Sequence, residues 1–325
     1  MSVLNILFVG SDEVARSIAK KSDSRDVDNY IYKDLKEGGL FSTISILRPN
    51  NYPDKPKPFF TSLTVSDFGI IEVNKVDGSF GEVIVSMSSA GIKDGLIIVN
   101  PSEGEWVDES QVKTLLQQAG LSGWEFIEND GIMIREKLIE VLSQIKPNED
   151  DGFVVAVDQA FTVKGVGLVA IGHVQSGTVN KHDELILAGS EGNAIARSLQ
   201  VMDLDVDVAN VGDRVGLAMR TAGAFREDLL GKGSILADSN ERFTVESKSK
   251  FELDKAAFQK NDLKKGDVVH LCCDLQFVVG RISEVSDCVH IDWDFPIVLN
   301  KSSTRNPLIV QLEATPRIMG FAKFK

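Results

Sequence analysis

The stretch DQAFTVKGVGLVAIGHVQSGTVNKHDELIL, residues 158–187, alternates short apolar runs with turn residues. AFTV runs into K-G-V-G, LVAIGHV into Q-S-G, and ELIL follows a polar break at N-K-H-D. FVVAVDQAFTV, GLVAIGHV, ELILAG and RVGLAM repeat this rhythm, and short strands at such spacing predict an antiparallel barrel. Gly165 and Gly167 relax the backbone where a barrel loop must turn tightly or approach a ligand closely. Downstream, the polar seam DSNERF (238–243) is followed by a second all-β stretch running to Lys325.

Upstream the period changes. LNILFV (4–9), STISIL (42–47), FGIIEV (68–73) and GLIIVN (95–100) read as strands. Between them, a short helix runs through Val14, Ile18 and Ala19, and VIVSMSSAG (83–91) is helical with its stop at Gly91. QVKTLLQQAG (111–120) ends at Gly120. IREKLIEVLSQI (134–145) aligns Ile134, Leu138, Val141, Leu142 and Ile145 on one face. Strands alternating with helices predict a largely parallel sheet covered on both faces. NNYPDKPKPFF (50–60), rich in proline, reads as a loop or extended connection, and KPNEDDG (146–152) as the first boundary. The expected architecture is multidomain, an α/β domain (1–147) followed by two antiparallel β-barrels (148–240 and 241–325).

Composition narrows the function. Of 325 residues, 35 are basic and 48 acidic, a net charge of −13 that argues against nucleic-acid binding by bulk electrostatics but leaves room for a local basic stripe. Cys272 and Cys273 are adjacent and Cys288 is the third, which fits reduced thiols better than a disulfide framework. The four histidines lack metal-ligand spacing, so no metal site is expected. No apolar run has membrane-spanning length and the N-terminus does not resemble a signal peptide. A cytoplasmic monomer is expected.

F-T-V-K-G-V-G, the G-x-V-x-x-G turn at 172–177, V-G-D-R-V-G at 211–216, and R-E-D followed by G-S-I-L-A-D resemble, in order and spacing, the second domain of translational GTPases of the EF-Tu group. KKGDVVHLCCDLQFVVGRISEV and TPRIMGFAKF look like that group's third barrel. Within the group, the archaeal SelB-like factors look closest, and a short chain with an aberrant first domain is similar to the branch proposed for pyrrolysine. The resemblance implies an elongation-factor homologue that binds tRNA or aminoacyl-tRNA, with the ribosome or another translation factor as further partners. It places Gly165 and Val166 in the pocket for the terminal adenosine, with Gln200, Met202 and Arg220 across from them. A guanidinium at Arg220 can pair a phosphate or stack on a base.

The first domain then corresponds to a P-loop GTPase domain whose motifs are degenerate. In LFVGSDEVARS (7–17), Gly10 and Ser17 keep the spacing of G-x-x-x-x-G-K-[ST], but Ala15 stands for the second glycine and Arg16 for the lysine. In ISILRPNN (44–51), Leu47, Asn50 and Asn51 fall where the group has D-x-P-G-H. NKVD (74–77) matches the guanine-reading motif literally. By order, however, its counterpart is Asn100-Pro101-Ser102-Glu103, which keeps Asn100 and an acid at Glu103. The expectation is a pseudo-GTPase domain with no catalytic residue and no cofactor, GTP and Mg²⁺ binding only if the degenerate site still functions. Two alternatives stay open: a divergent but functional GTPase, and a protein-interaction module of the translation apparatus.

Overall fold

A computed structural model describes residues 2–35, 41–104, 106–145 and 152–325. In β1 (Ser2–Val9), side chains alternate between two dry faces: Leu4, Ile6 and Phe8 pack on one side and Leu7 on the other. β1 is therefore central. It pairs in parallel with β4 (Phe41–Pro49) and β5 (Phe68–Val73), and β6 (Gly95–Val99) and β7 (Glu125–Ile127) extend the parallel array. Helices α1 (Asp12–Ile18) and α5 (Gly131–Gln144) cover one face; α2 (Pro56–Leu63), α3 (Gly78–Ala90) and α4 (Glu109–Gln118) cover the other. On α5, Ile134, Leu138 and Leu142 are buried as the stripe predicts, whereas Ile145 is exposed.

Two segments differ from the sequence reading. The proline-rich 50–60 stretch is not all loop, because α2 starts at Pro56. The first-turn N–H groups of a helix have no intrahelical acceptor, so Pro56 and Pro58 cost little there. The sheet also carries an antiparallel hairpin, β2 (Lys20–Ser24) and β3 (Val27–Leu35), giving the order β2-β3-β4-β1-β5-β6-β7. Its polar residues hide the strand alternation. The boundary expected at 146–152 falls almost wholly outside the described residues.

The middle unit contains β8 (Phe153–Val163), β9 (Gly167–Asn180), β10 (Glu184–Leu187), β11 (Asn193–Val201), β12 (Leu204–Val206), β13 (Val208–Asn210), β14 (Arg214–Ala222) and β15 (Ile235–Ala237). It corrects the expectation of two barrels. This unit is an eight-stranded sheet ordered β10-β15-β8-β9-β14-β11-β12, with β13 branching from β9 and a further short pairing of β10 with β11. The chain around Asp207 sends two three-residue strands to different partners, so β12 ends the path and β13 leaves it. The closed barrel is the third unit: β16 (Phe243–Lys255), β17 (Val268–Cys273), β18 (Gln276–Val285), β19 (Val289–Asn300), β20 (Leu308–Val310) and β21 (Ile318–Phe324). There the last strand returns to the first, Phe324 opposite Phe251 and Gly320 opposite Lys255.

The units meet at the two-residue turn between β17 and β18. Asp274 and Leu275 both take left-handed backbone (φ 44° and 63°). Leu275 packs against Leu47 and Val65 of the first unit and Ala156 of the second, and its N–H donates to Thr64 Oγ1 at 3.0 Å. Polar links flank it. Arg305 donates to Ser66 O and pairs with Asp67, Arg317 pairs with Glu82, and Asn5 donates to Gly212 O.

Leu275→Ala is expected to cost about 2–4 kcal/mol in chemical denaturation, since the cavity opens against all three units. Asp274 gives a pH test. Burial pushes its carboxyl up to about 6, against the pull of Arg305. The folded state thus holds the proton more tightly than the unfolded chain, so the group favours folding at low pH and that contribution is lost as pH rises through 6. Asp274→Asn, which tolerates left-handed backbone, should raise stability at pH 8 by roughly 2–3 kcal/mol and leave it unchanged near pH 4.

Candidate functional site

Strands β8 and β9 are joined by a tip at 164–166 whose edges are in register, Val163 opposite Gly167. Gly165 adopts φ +84° with open space where a Cβ would point, and Gly167 adopts φ +105°. Val166 is 41% exposed, and its carbonyl accepts from Arg197 Nη1 at 3.1 Å. Arg197 sits at a bulge of β11, between Ala196 and Ser198, and is exposed where Ala194 and Ala196 on the same strand point inward. Arg220, opposite Ile195 on β14 and one step beyond the Met219–Leu168 pair, is exposed and has no side-chain partner among the described residues. Lys164 and Phe161 are also exposed at this end. On a chain of net charge −13, three cations and an aromatic ring gather around one open glycine turn.

The other two predicted residues lie elsewhere. Gln200 is opposite Gly216, four residues along β14 from Arg220 and so roughly 13 Å away. Its amide donates to Asp205. Met202 has φ +53°; its carbonyl accepts from Lys33 Nζ at 3.4 Å and its sulfur from the Thr43 hydroxyl at 3.6 Å. Gly165, Val166 and Arg220 are therefore one group, and Gln200 and Met202 another, seated in the crease against the first unit.

Two cavities open along that crease. One, of about 270 Å³, is lined by Gln200, Met202, Arg214 and Asp23. The other, of about 210 Å³, is lined by Asp158, Gln159, His173, Lys232, Arg25 and Leu275. Arg214 bridges Asp23 and Asp158 at 3.4 Å each, and Lys232 lies 3.4 Å from Asp158. Burial, helped by Arg214 and opposed by Asp158, pushes His173 down to about 4, so it is neutral at pH 7. Its Nδ1 and the side-chain amide oxygen Oε1 of Gln159 are buried without a partner among the described residues. Such orphaned groups are costly unless a ligand or water completes them.

At the expected phosphate loop, the polypeptide folds differently from a phosphate cradle. Ser11 caps α1, accepting from the Val14 N–H, and residues 12–18 are helical. Ala15 is buried in the core, Arg16 pairs with Asp12, and Ser17 donates its hydroxyl to Val14 O at 2.8 Å in the last turn. A cradle requires these residues to stay open, with their amides converging on phosphate and the serine in the first turn. The space beside Gly10 is instead taken by Glu72, 7% exposed. Its carboxylate accepts from Ser11 N at 2.5 Å and Asn100 Nδ2 at 2.6 Å. A Cβ on Gly10 would stand 2.7 Å from that side chain. Arg48 closes the same corner, donating to Gly10 O (2.8 Å), Asp28 (3.2 Å) and Asn50 (2.9 Å). Glu103 is exposed in the turn beyond Asn100. The literal NKVD match serves α3, since the Asp77 carboxylate accepts from Ser79 and Phe80 N–H.

Glu72, Arg197 and His173 are site residues that the sequence reading passed over. Each has a signal: a lone charge or imidazole inside the apolar runs FGIIEV, NAIARSLQV and GLVAIGHV.

No protein-family model matches the chain. It is 31% identical over 281 residues to "Uncharacterized protein MJ0325" of Methanocaldococcus jannaschii, covering 86% of each chain. It is 30% identical over 220 residues to the selenocysteine-specific elongation factor of Escherichia coli, covering 62% of this chain and 34% of that one. The chain thus spans about a third of the E. coli factor's length. Among solved structures it is similar to SelB of Methanococcus maripaludis, both apo (TM-score 0.77, covering 100% of this chain and 80% of that one) and bound to the GTP analogue GppNHp (TM-score 0.79, 99% and 78%), at 17% identity. A bacterial EF-Sec matches with TM-score 0.76 at 17% identity, covering 100% of this chain and 58% of that one. These identities are remote, and they correct the expectation of a close archaeal SelB or of the pyrrolysine factor EF-Pyl. The chain belongs to one family with the M. jannaschii protein, and it shares its fold with the SelB and EF-Sec structures.

Proposed function

We propose that this chain binds the 3′ end of tRNA or aminoacyl-tRNA at the β8–β9 tip and neither binds nor hydrolyses GTP. The observation that carries the reading is the convergence of Lys164, Arg197 and Arg220 on the open Gly165 turn. Cations there can take backbone phosphates, a glycine turn lets a base approach closely, and the exposed Phe161 offers a stacking surface. The crease cavities, with neutral His173 and the Asp158–Arg214 pair, offer polar room for an attached amino acid.

Loss of nucleotide binding is supported by the helical Asp12–Ile18 segment and by the Glu72 carboxylate on Ser11 N–H. The M. maripaludis SelB structure holds a GTP analogue; here an internal carboxylate takes the amide at the end of β1. Without a γ-phosphate to order switch loops, release of RNA would depend on competition or on another factor. A protein partner is the second reading, favoured by Trp106 (79% exposed), Ile132 and Met133 beyond the carboxyl ends of β6 and β7.

Filter binding with charged and uncharged tRNA at low salt tests the first claim. Arg197→Ala and Arg220→Ala should each weaken binding several-fold. Each should also make the dependence of log K on log salt shallower by about 0.7–0.9 for every phosphate it no longer neutralises. No binding by the wild-type chain would refute the RNA reading and leave the protein partner. Calorimetry with GTP and Mg²⁺ should give no binding heat; a micromolar Kd would overturn the second claim.

A further inference from the structure

The mouth of the third unit's barrel encloses a cavity of about 540 Å³, within the range of small-molecule sites. It lies between the ends of β16, β17, β19 and β21 and the loop 301–307, with Thr64 of the first unit on its edge. Leu299, Pro307, Ala322 and Phe324 supply apolar wall.

Three cations stand on the rim, yet each is engaged elsewhere. Lys301 Nζ donates to Glu241 O at 2.8 Å, Arg305 is held by Ser66 O and Asp67, and Lys325 pairs with Glu252. The rim carboxylate of Glu246 accepts from the Ser249 hydroxyl. Asp274 is different. It is 5% exposed, lines the cavity, and has no hydrogen bond or ion pair among the described residues. Its backbone is held by the tight left-handed turn whose second residue, Leu275, is packed between the units. A buried carboxylate without a partner is costly, and a matching cation would relieve that cost.

We infer that this cavity binds a small organic cation, a primary alkylammonium, with Asp274 accepting from the ammonium and the apolar wall covering its alkyl chain. The rim oxygens Asn300 Oδ1 and Ser303 Oγ each accept one backbone N–H, from Ser302 and Arg305, and each has a second lone pair for the remaining N–H donors. An alkylammonium also uses the wall of Leu299, Pro307, Ala322 and Phe324, which offers no oxygen to a hard ion that requires six or more. The inference is independent of the RNA-binding reading.

The test is titration of the full chain at about pH 7.5 with n-butylammonium, 1,4-butanediamine, N-acetyl-lysine methylamide and, as the neutral control, n-butanol, followed by NMR or calorimetry. Saturable binding of the amines and none of butanol is expected, with at least about tenfold weakening in Asp274→Asn, whose folding is verified by its melting curve. A free amine binding more tightly than the capped lysine would identify a small-molecule ligand. The reverse order would identify a lysine side chain presented by another protein. No saturable binding, equal binding of butanol, or unchanged binding in folded Asp274→Asn would overturn the inference.

Discussion

Leu275 gains its burial from three directions, and the mutual placement of the units depends on that contact. Its side chain meets Leu47 and Val65 from the first unit and Ala156 from the second, while its own strands belong to the third. Burying such a side chain is worth about 1.5–3 kcal/mol, and here that gain exists only while all three units are together. Apolar burial is not directional, so orientation comes from the polar links beside it: Arg305 on Ser66 and Asp67 in the turn after α2, Arg317 on Glu82, Asn5 on Gly212. The same turn leaves Asp274 only 5% exposed at the barrel mouth, a carboxylate with no hydrogen bond or ion pair among the described residues.

The first unit is completed by its own charges. Glu72 ties the ends of β1, β5 and β6 through Ser11 and Asn100, while Arg48 ties β4 to Gly10 and Asp28. Tyr30 and Lys21 extend the network to Asp12 at the start of α1. A nearly buried carboxylate can persist there because it is hydrogen-bonded to both partners. The corner therefore keeps its shape without a bound anion, and the surface it supports remains available to the middle unit, where Met202 docks on β3 and β4.

Legibility followed the strength of the local signal. LNILFV, FGIIEV and GLIIVN were readable as strands because fully buried parallel strands are apolar throughout, and α5 because its stripe has helical period. The β2–β3 hairpin was missed because KKSDS and VDNYIYKDL carry polar residues on both faces. At α2, proline suggested a loop, although the first helical turn is where proline is tolerated. Barrel closure in the middle unit was over-read, since regular short strands specify pairing but not where the last strand goes. In the site, Gly165, Val166 and Arg220 were found together, yet Arg197 was missed because only the pairing of β11 with β14 and the fold of the β8–β9 tip bring it to Val166.

The sequence by itself determined the central strands and the helices α1, α3, α4 and α5 of the first unit, the change from parallel α/β to antiparallel β structure, and the glycine turn at the β8–β9 tip. These rest on local properties: hydrophobic period, turn chemistry and the freedom of glycine at positive φ. Only the tertiary structure decided that the Asp12–Ile18 helix leaves no open loop after Gly10, that Glu72 fills the space beside it, and that Gln200 and Met202 belong to a crease apart from Arg220. The reason is physical. The spacing of Gly10 and Ser17 is compatible with an open loop and with a helix alike. A carboxylate sixty-one residues away from Ser11 in sequence, brought to it by parallel pairing of β1 with β5, completes the corner in the helical form.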